Sequence, residues 1–528
     1  MKKARSDFRD TGYFYKKLTD SFARQRLIGR RSKSVLLISA TSLPAIQLAA
    51  LYFAAAFIGS RSARPLLFHA SISRERRWKR KLGAFRFLIG IGRASKKYAL
   101  YRTLGVRQIL AFAADDPVLE GAESVYRECL RKLRTLRDLE GLEIKGVLVG
   151  DLIYDHFVVE GRSGTIDLQS DLFREFLWSS VRLTLGWLSF FNANNVAGVV
   201  SNAVYLQGIP LRVASKLGIP AYEVFPEAAE TRSLSAGMNR TRLEVLSFPE
   251  FFETTDPEVR EALRDSARNR IESRLRGNKD PRLQNSFQWS SWTASEAEAF
   301  SHSLPVGPKV LVAAHRLTDS PHIYQGLFPD YVVWLMELGS MTLGSEATWL
   351  IKQHPDSDEG DEPILSEIVS QFPQFKFVSK KIPNSLILSV GVSAVVTCHG
   401  TIGMELAYLG IPVINCSANN PHAAYNFNFT PQTLAELKSA ILNLESVKIN
   451  FDRSKILECY YQYNIANWKS FFYDYDSAPT NFVAHVVATW SPQAHSEILD
   501  GYLRFIESGE YWFQWAKYGS ETSMNRTT

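Results

Sequence analysis

Short apolar runs alternate with segments of helical period along most of this 528-residue chain. The stretch from Ala394 to Ile414 shows the pattern most fully. Val395 and Val396 open an apolar run of the kind a buried parallel strand carries. His399-Gly400-Thr401 is a turn, Thr401 stands at an N-cap position, and Ile402 to Leu409 follow a helical apolar spacing. Gly410 falls where a C-cap glycine belongs, Pro412 comes next, and Val413 and Ile414 begin another strand. The spacing therefore predicts a βαβ unit with a polar turn at the carboxyl end of its first strand. Open α/β sheets bind ligands at such ends, and the N–H groups of a helix start favour phosphate.

The same rhythm predicts strand Ser34–Ser39, turn Ala40–Leu43, helix Pro44–Ile58 and strand Pro65–His69. Arg24, Arg26, Arg30, Arg31 and Lys33 precede this stretch, and the apolar run Val35–Gly59 is long enough to span a bilayer. Ser39, Thr41, Ser42, Pro44 and Gln47 interrupt its first half, which favours the βαβ reading. Gly105–Phe112 and Glu143–Gly150 read as further strands. The second leaves Asp151 at a strand's carboxyl end, four residues before Asp155 and on the same helix face. Asp151 is either a general base facing a cleft or a helix N-cap. A strand at Val196–Ser201, a helix from Asn202 to Leu217, Gly218 and a new strand from Ile219 repeat the order seen at 394–414. In the second half, strands are expected at Val310–His315, Trp349–Pro355 and Phe375–Val378. The fold class is α/β, with two parallel-sheet domains. The boundaries are 30–235, a connecting segment 236–305 with a helical insertion, 306–458, and an aromatic-rich helical tail 459–528 that packs back on the domains.

Charge and cysteines narrow this picture. The formal net charge is +7, concentrated toward the N-terminus, and favours anionic partners without choosing among them. The basic, aromatic-bearing segment 74–93 is either a solvated helix face or a helix lying on an anionic membrane surface. No motif for nucleic acid accompanies it. Cys129, Cys398, Cys416 and Cys459 are widely spaced, which points to a reducing compartment and offers no metal-like pair.

The candidate chemistry lies in the second half. Three strands end in His315, in Lys352 with His354, and in His399. Parallel strands bring their carboxyl ends to one edge, so these groups should converge. With no zinc-like spacing among them, the histidines serve as hydrogen-bond donors rather than ligands. Asn419, Asn420, His422 and Tyr425 lie on a following loop that either reaches the sugar end of a ligand or is plain surface.

Val310-Leu-Val-Ala-Ala-His-Arg-Leu-Thr-Asp-Ser-Pro-His322, Ile351-Lys-Gln-His-Pro355 and Thr397-Cys-His-Gly-Thr-Ile-Gly-Met-Glu405 with Gly410-Ile-Pro412 carry a resemblance. They resemble the GT-B glycosyltransferases of bacterial capsule and lipopolysaccharide assembly. The paired "His-Pro" and "His-Gly-Thr/Ser" motifs recur in Kdo transferases, bacterial sialyltransferases and glycerophosphate polymerases. Here Lys352-Gln-His-Pro355 stands where Lys-Pro-His-Pro is common. The resemblance spans roughly residues 30 to 440, its specific motifs all being C-terminal. It implies two Rossmann-like domains facing each other across a cleft, with the nucleotide-sugar donor on the C-terminal one. His354 and His399 would contact donor phosphate, Thr401 would support it, and Glu405 would bind ribose. His315, Asp319, His322, Lys352 and Gly400 complete the donor set. Asp151 is the base for the acceptor hydroxyl, with Asp155, Asp116 and Asp319 as rivals. The implied enzyme needs neither metal nor cofactor, takes a lipid-linked or polysaccharide acceptor, and works in the cytoplasm or at the inner face of the cytoplasmic membrane. A nonhydrolysing nucleotide-sugar epimerase, a polyol-phosphate transferase and a non-catalytic scaffold remain as alternatives.

Overall fold

In a computed structural model the described residues are 14–41, 43–69, 97–112, 116, 118–161, 163–226, 228–231, 248–276, 278, 294–323, 326–357, 359–382, 384–417, 420, 422, 424–444, 447, 449–466, 490–510 and 512–514. The basic segment 74–93 and Asn419 lie outside them. The chain divides into two compact units. One comprises Met1–Tyr154, Leu168–Met238 and Asn467–Thr528, the other Asp155–Asp167 and Asn239–Ala466.

The strands of the first unit are β1 (Val35–Ser39), β2 (Arg64–Phe68), β3 (Ile109–Leu110), β4 (Glu143–Ile144), β5 (Val147–Leu148), β6 (Val196–Val200), β7 (Ala221–Val224) and β8 (Ala228–Thr231). Its main sheet runs in the order Trp512–Gln514, β8, β7, β6, β1, β2, β3. The strands from β7 to β3 are parallel, and the other two are antiparallel additions. Between β1 and β2 runs helix α1 (Pro44–Arg61), with its proline in the first turn as that residue's missing N–H allows. Every residue from Gln47 to Ile58 is buried. The helix is apolar all round because it lies in the core with β1 and β2 and with helix Pro492–Ser508 of the tail. Among the described residues no helix is long and apolar enough to cross a membrane.

One expected strand is a different object. Glu143–Gly150 forms a tight hairpin, β4 and β5, that makes its own two-stranded sheet. Lys145 and Gly146 both take positive φ, +52° and +71°, the backbone a two-residue hairpin turn requires. Asp151 therefore stands on helix α2 (Gly150–Gly161) after a hairpin, not at the end of a main-sheet strand. A Cβ at Gly150 would meet the Leu139 carbonyl oxygen at 1.7 Å, so the hairpin-to-helix corner demands glycine. The helices α3 (Asp171–Ala193) and α4 (Ile209–Lys216) follow. In α3 the buried Trp187 ring meets Phe68 and Phe112 edge-on, at 4.9 and 5.1 Å between centroids. The strand expected at 105–112 is reduced to β3.

The second unit holds β9 (Lys309–Ala313), β10 (Thr348–Lys352), β11 (Phe375–Val378), β12 (Val392–Thr397) and β13 (Val413–Asn415). The order is β11-β10-β9-β12-β13, and all neighbours are parallel. The central strands are buried on both faces, which is why they read as unbroken apolar runs. Strand order reverses between β9 and β12, the topological switch point at which such sheets take ligands. Around the sheet lie α5 (Pro257–Leu275), α6 (Tyr331–Met341), α7 (Ile402–Tyr408) and α8 (Arg453–Asn464). The carboxylates of Asp256, Asp330 and Asp452 cap α5, α6 and α8 by accepting first-turn N–H groups. Helix α5 comes from the expected connecting stretch and lies in this unit, packed on α8.

Candidate functional site

Three strands deliver the site. β9 runs out through Ala314, whose N–H donates to the Lys352 carbonyl at 3.0 Å, and then presents His315. β10 ends in Lys352, and β12 passes through Thr397 to His399. The Thr397 hydroxyl lies 3.3 Å from the Ala313 carbonyl and 3.2 Å from that of His399, which ties the ends of β9 and β12 together.

The structure gathers the histidines that the motifs single out. The His315 ring lies 4.2 Å from His399 and 5.3 Å from His354, centroid to centroid. Tyr331 of α6 stacks on the same ring, at 4.5 Å and 28°. Burial lowers the pKa of all three imidazoles. For His354 burial comes first, and the neighbouring His315, Lys352, Arg316 and Lys380 add to it, reaching about 3. His354 is thus neutral, and its Nδ1 accepts the Asp356 N–H at 3.1 Å. That bond leaves the proton on Nε2, so His354 presents a donor.

Lys352 is the charged member. Its side chain is buried, and burial alone lowers its pKa to about 8. Among the described residues no carboxylate pairs with it, so at neutral pH a largely desolvated ammonium stands without a counter-charge. Buried charges are normally paired; Lys352 stands at the carboxyl edge of the sheet, one strand from the switch point at which such sheets take ligands.

The glycine turn contributes shape more than field. Gly400 has φ +122°, a conformation side chains rarely adopt. Thr401 occupies the N-cap position but already has helical backbone angles, and its side chain makes no capping bond. Helix α7 is only seven residues long, so the positive charge comes from Lys352 and its cationic neighbours. Beneath the turn, buried His422 is held at Nδ1 by Asn415 (3.1 Å) and Asn428 (2.6 Å). A Cβ on Gly403 would meet the His422 Cε1 at 2.6 Å. Gly403→Ala should therefore cost about 1–3 kcal/mol by overpacking. Urea denaturation measures it, and an unchanged midpoint would show that the ring gives way freely.

The remaining expected residues are placed as follows. One Glu405 oxygen accepts from Arg274 Nε at 2.6 Å, and both side chains are almost buried. Sequence reading missed Arg274, whose only signal is the charged helical run of α5. His322 meets the buried Asp155 carboxylate through Nδ1 at 2.5 Å. Asp319 is more exposed, accepts the Ser320 N–H at 2.8 Å and lies 4.0 Å from His315. Asp116 accepts a bond from Arg182 through its carbonyl, at 2.8 Å.

Asp151 belongs to the first unit. Both of its oxygens are engaged by Arg212, one of them at 2.5 Å, and Arg212 also donates to the Leu148 carbonyl at 2.9 Å. Arg212 is only 2% exposed. A carboxylate gripped at both oxygens by a buried guanidinium anchors α2 to α4; it is poorly suited to collect a proton.

No protein-family model and no curated protein sequence matches the chain. Solved structures similar to it include KpsC of Thermosulfurimonas dismutans, a beta Kdo 2,4 transferase, at 12% identity and a TM-score of 0.32, covering 50% of this chain and 79% of that one. The UDP-GlcNAc 2-epimerase of Methanocaldococcus jannaschii has 12% identity and a TM-score of 0.27, with coverage of 80% and 97%. A UDP-glucosyltransferase of Polygonum tinctorium has 11% identity and a TM-score of 0.22, with coverage of 90% and 99%.

Proposed function

We propose that the chain is a GT-B-type glycosyltransferase that moves a sugar from a nucleotide-sugar to a surface polysaccharide acceptor of the capsule or lipopolysaccharide kind. The observation that carries this reading is the buried Lys352, without a carboxylate partner among the described residues, beside a neutral, proton-presenting His354 at the carboxyl edge of a parallel sheet, one strand from its switch point. The leaving nucleotide gains phosphate charge in the transition state, and preorganised donors aimed at that charge stabilise it. Lys352, His354 and His399 are those donors, and the Gly400 turn lets phosphate approach the backbone. Glu405, oriented by Arg274, accepts a ribose hydroxyl. His322, held through Nδ1 by Asp155, replaces Asp151 as the group that takes the acceptor's proton.

A thermal-shift panel of CMP, UDP, GDP, CDP and their sugar conjugates tests the donor site, because native-state binding raises apparent stability by mass action. One nucleotide should raise the midpoint, and His354→Ala should abolish that rise. A panel without any shift would remove the reading. The epimerase remains the second reading, since the Asp155–His322 pair suits proton abstraction from a sugar equally well. Uptake of deuterium from heavy water into the sugar of UDP-GlcNAc, with no acceptor present, would decide for it.

A further inference from the structure

The second unit carries a separate cleft of about 420 Å³ lined by α5, α7 and α8. Helix α5 presents Glu261, Arg264, Arg268 and Glu272 as one stripe at helical spacing. Tyr408 closes the cleft from the last turn of α7, and Arg453 from the first turn of α8. None of these residues belongs to the histidine cluster.

Charges in the cleft are unequally satisfied. Arg264 pairs with Glu261 at 3.1 Å and with the fully buried Glu458. Arg268 pairs with Glu261 at 3.4 Å and with Asp265. The Tyr408 hydroxyl donates to Glu272 at 2.9 Å. Arg453 differs from the other two arginines. Among the described residues it has no carboxylate partner, and its guanidinium lies 5.3 Å from the centre of the Tyr408 ring. An arginine laid over an aromatic ring keeps its edge N–H groups free for a planar oxyanion, which it grips bidentately. Beside it, the carboxylates of Glu261 and Glu272 keep lone pairs beyond those that Arg264, Arg268 and Tyr408 engage, and these accept hydrogen bonds from hydroxyls. Cation, ring and flanking carboxylates together match a polyhydroxylated ligand that bears one negative group, and the volume admits one or two sugar rings.

We propose that this cleft is a second binding site, for an anionic sugar whose carboxylate or phosphate is held by Arg453 and whose hydroxyls meet the α5 stripe. Uronates and sugar phosphates share this chemistry. The site is read without turnover, so its failure is separable from failure of the glycosyltransferase reading.

The test is isothermal titration of the full chain with glucuronate, glucose 1-phosphate and glucose, each to about 10 mM, a range that reaches weak sugar affinities. At least one anionic sugar should bind at least tenfold more tightly than glucose. Arg453→Ala should weaken that binding at least tenfold, and Arg453→Lys should restore part of it. The anion that binds identifies the source as uronate or phosphate. Arg453 is exposed, so its replacement should leave the unfolding midpoint unchanged. It should also leave nucleotide binding at Lys352 unchanged, which separates the two sites. Absence of binding by both anionic sugars, equal binding of glucose, or unchanged affinity in Arg453→Ala would each overturn the proposal.

Discussion

Lys352→Met should make the protein more stable and leave it unable to hold a nucleotide. Lysine and methionine have similar reach, and this side chain is buried with no carboxylate partner among the described residues. Burial lowers its pKa from 10.5 to about 8. Below pH 8 the folded protein must keep a proton where the charge is poorly solvated, at a cost of about 3 kcal/mol. The sign follows from proton counts. Between about pH 8 and 10.5 the unfolded chain holds the lysine proton and the folded chain has released it, so wild-type stability rises with pH through this window. The methionine variant lacks that rise and starts from the higher level at pH 7. Binding moves the opposite way. Loss of a charge-assisted contact to phosphate should weaken nucleotide affinity by about 10- to 150-fold. Wild-type affinity should itself fall as pH passes upward through about 8. Urea denaturation at pH 7 and pH 10, with titration of the nucleotide found in the panel, measures both arms. A variant less stable than wild type at pH 7, binding nucleotide normally, would refute the assignment of Lys352 as the anion-holding group.

Asp151→Ala should unfold the first unit far more readily than it impairs chemistry. The substitution leaves the guanidinium of Arg212, 2% exposed, without its carboxylate. Removing one partner of a buried ion pair costs about 3–5 kcal/mol, because the other charge stays desolvated. The double variant Asp151→Leu with Arg212→Met should recover most of that loss, since neither buried charge remains. Denaturant midpoints of the single and double variants give the comparison. If Asp151→Ala proved as stable as wild type yet lost all turnover, Asp151 would return as the general base and the Asp155–His322 couple would lose that role.

These two residues show where sequence reading reached and where it stopped. Lys352 was legible because a strand of known direction ends on it. Asp151 was misplaced because Glu143 to Gly150 has the apolar content of one strand. Its Lys145-Gly146 turn lacks the usual asparagine or aspartate signal. The helix α7 was legible to its Gly410 stop, yet the Thr401 cap was not made, since the turn enters the helix with Thr401 already helical. Arg274 was invisible, for its partner Glu405 is 131 residues away and no local pattern joins them.

The sequence by itself determined the elements and their direction: apolar runs, helical period, caps and stop glycines are local, and parallel order sends the histidine-bearing ends to one edge. Tertiary structure alone decided the state of the groups at that edge. Burial sets the neutral imidazoles and the lowered pKa of Lys352, and packing assigns Arg212 to Asp151, Arg274 to Glu405 and Asp155 to His322. Desolvation and long-range pairing depend on what surrounds an atom in space, which residue order along the chain does not specify.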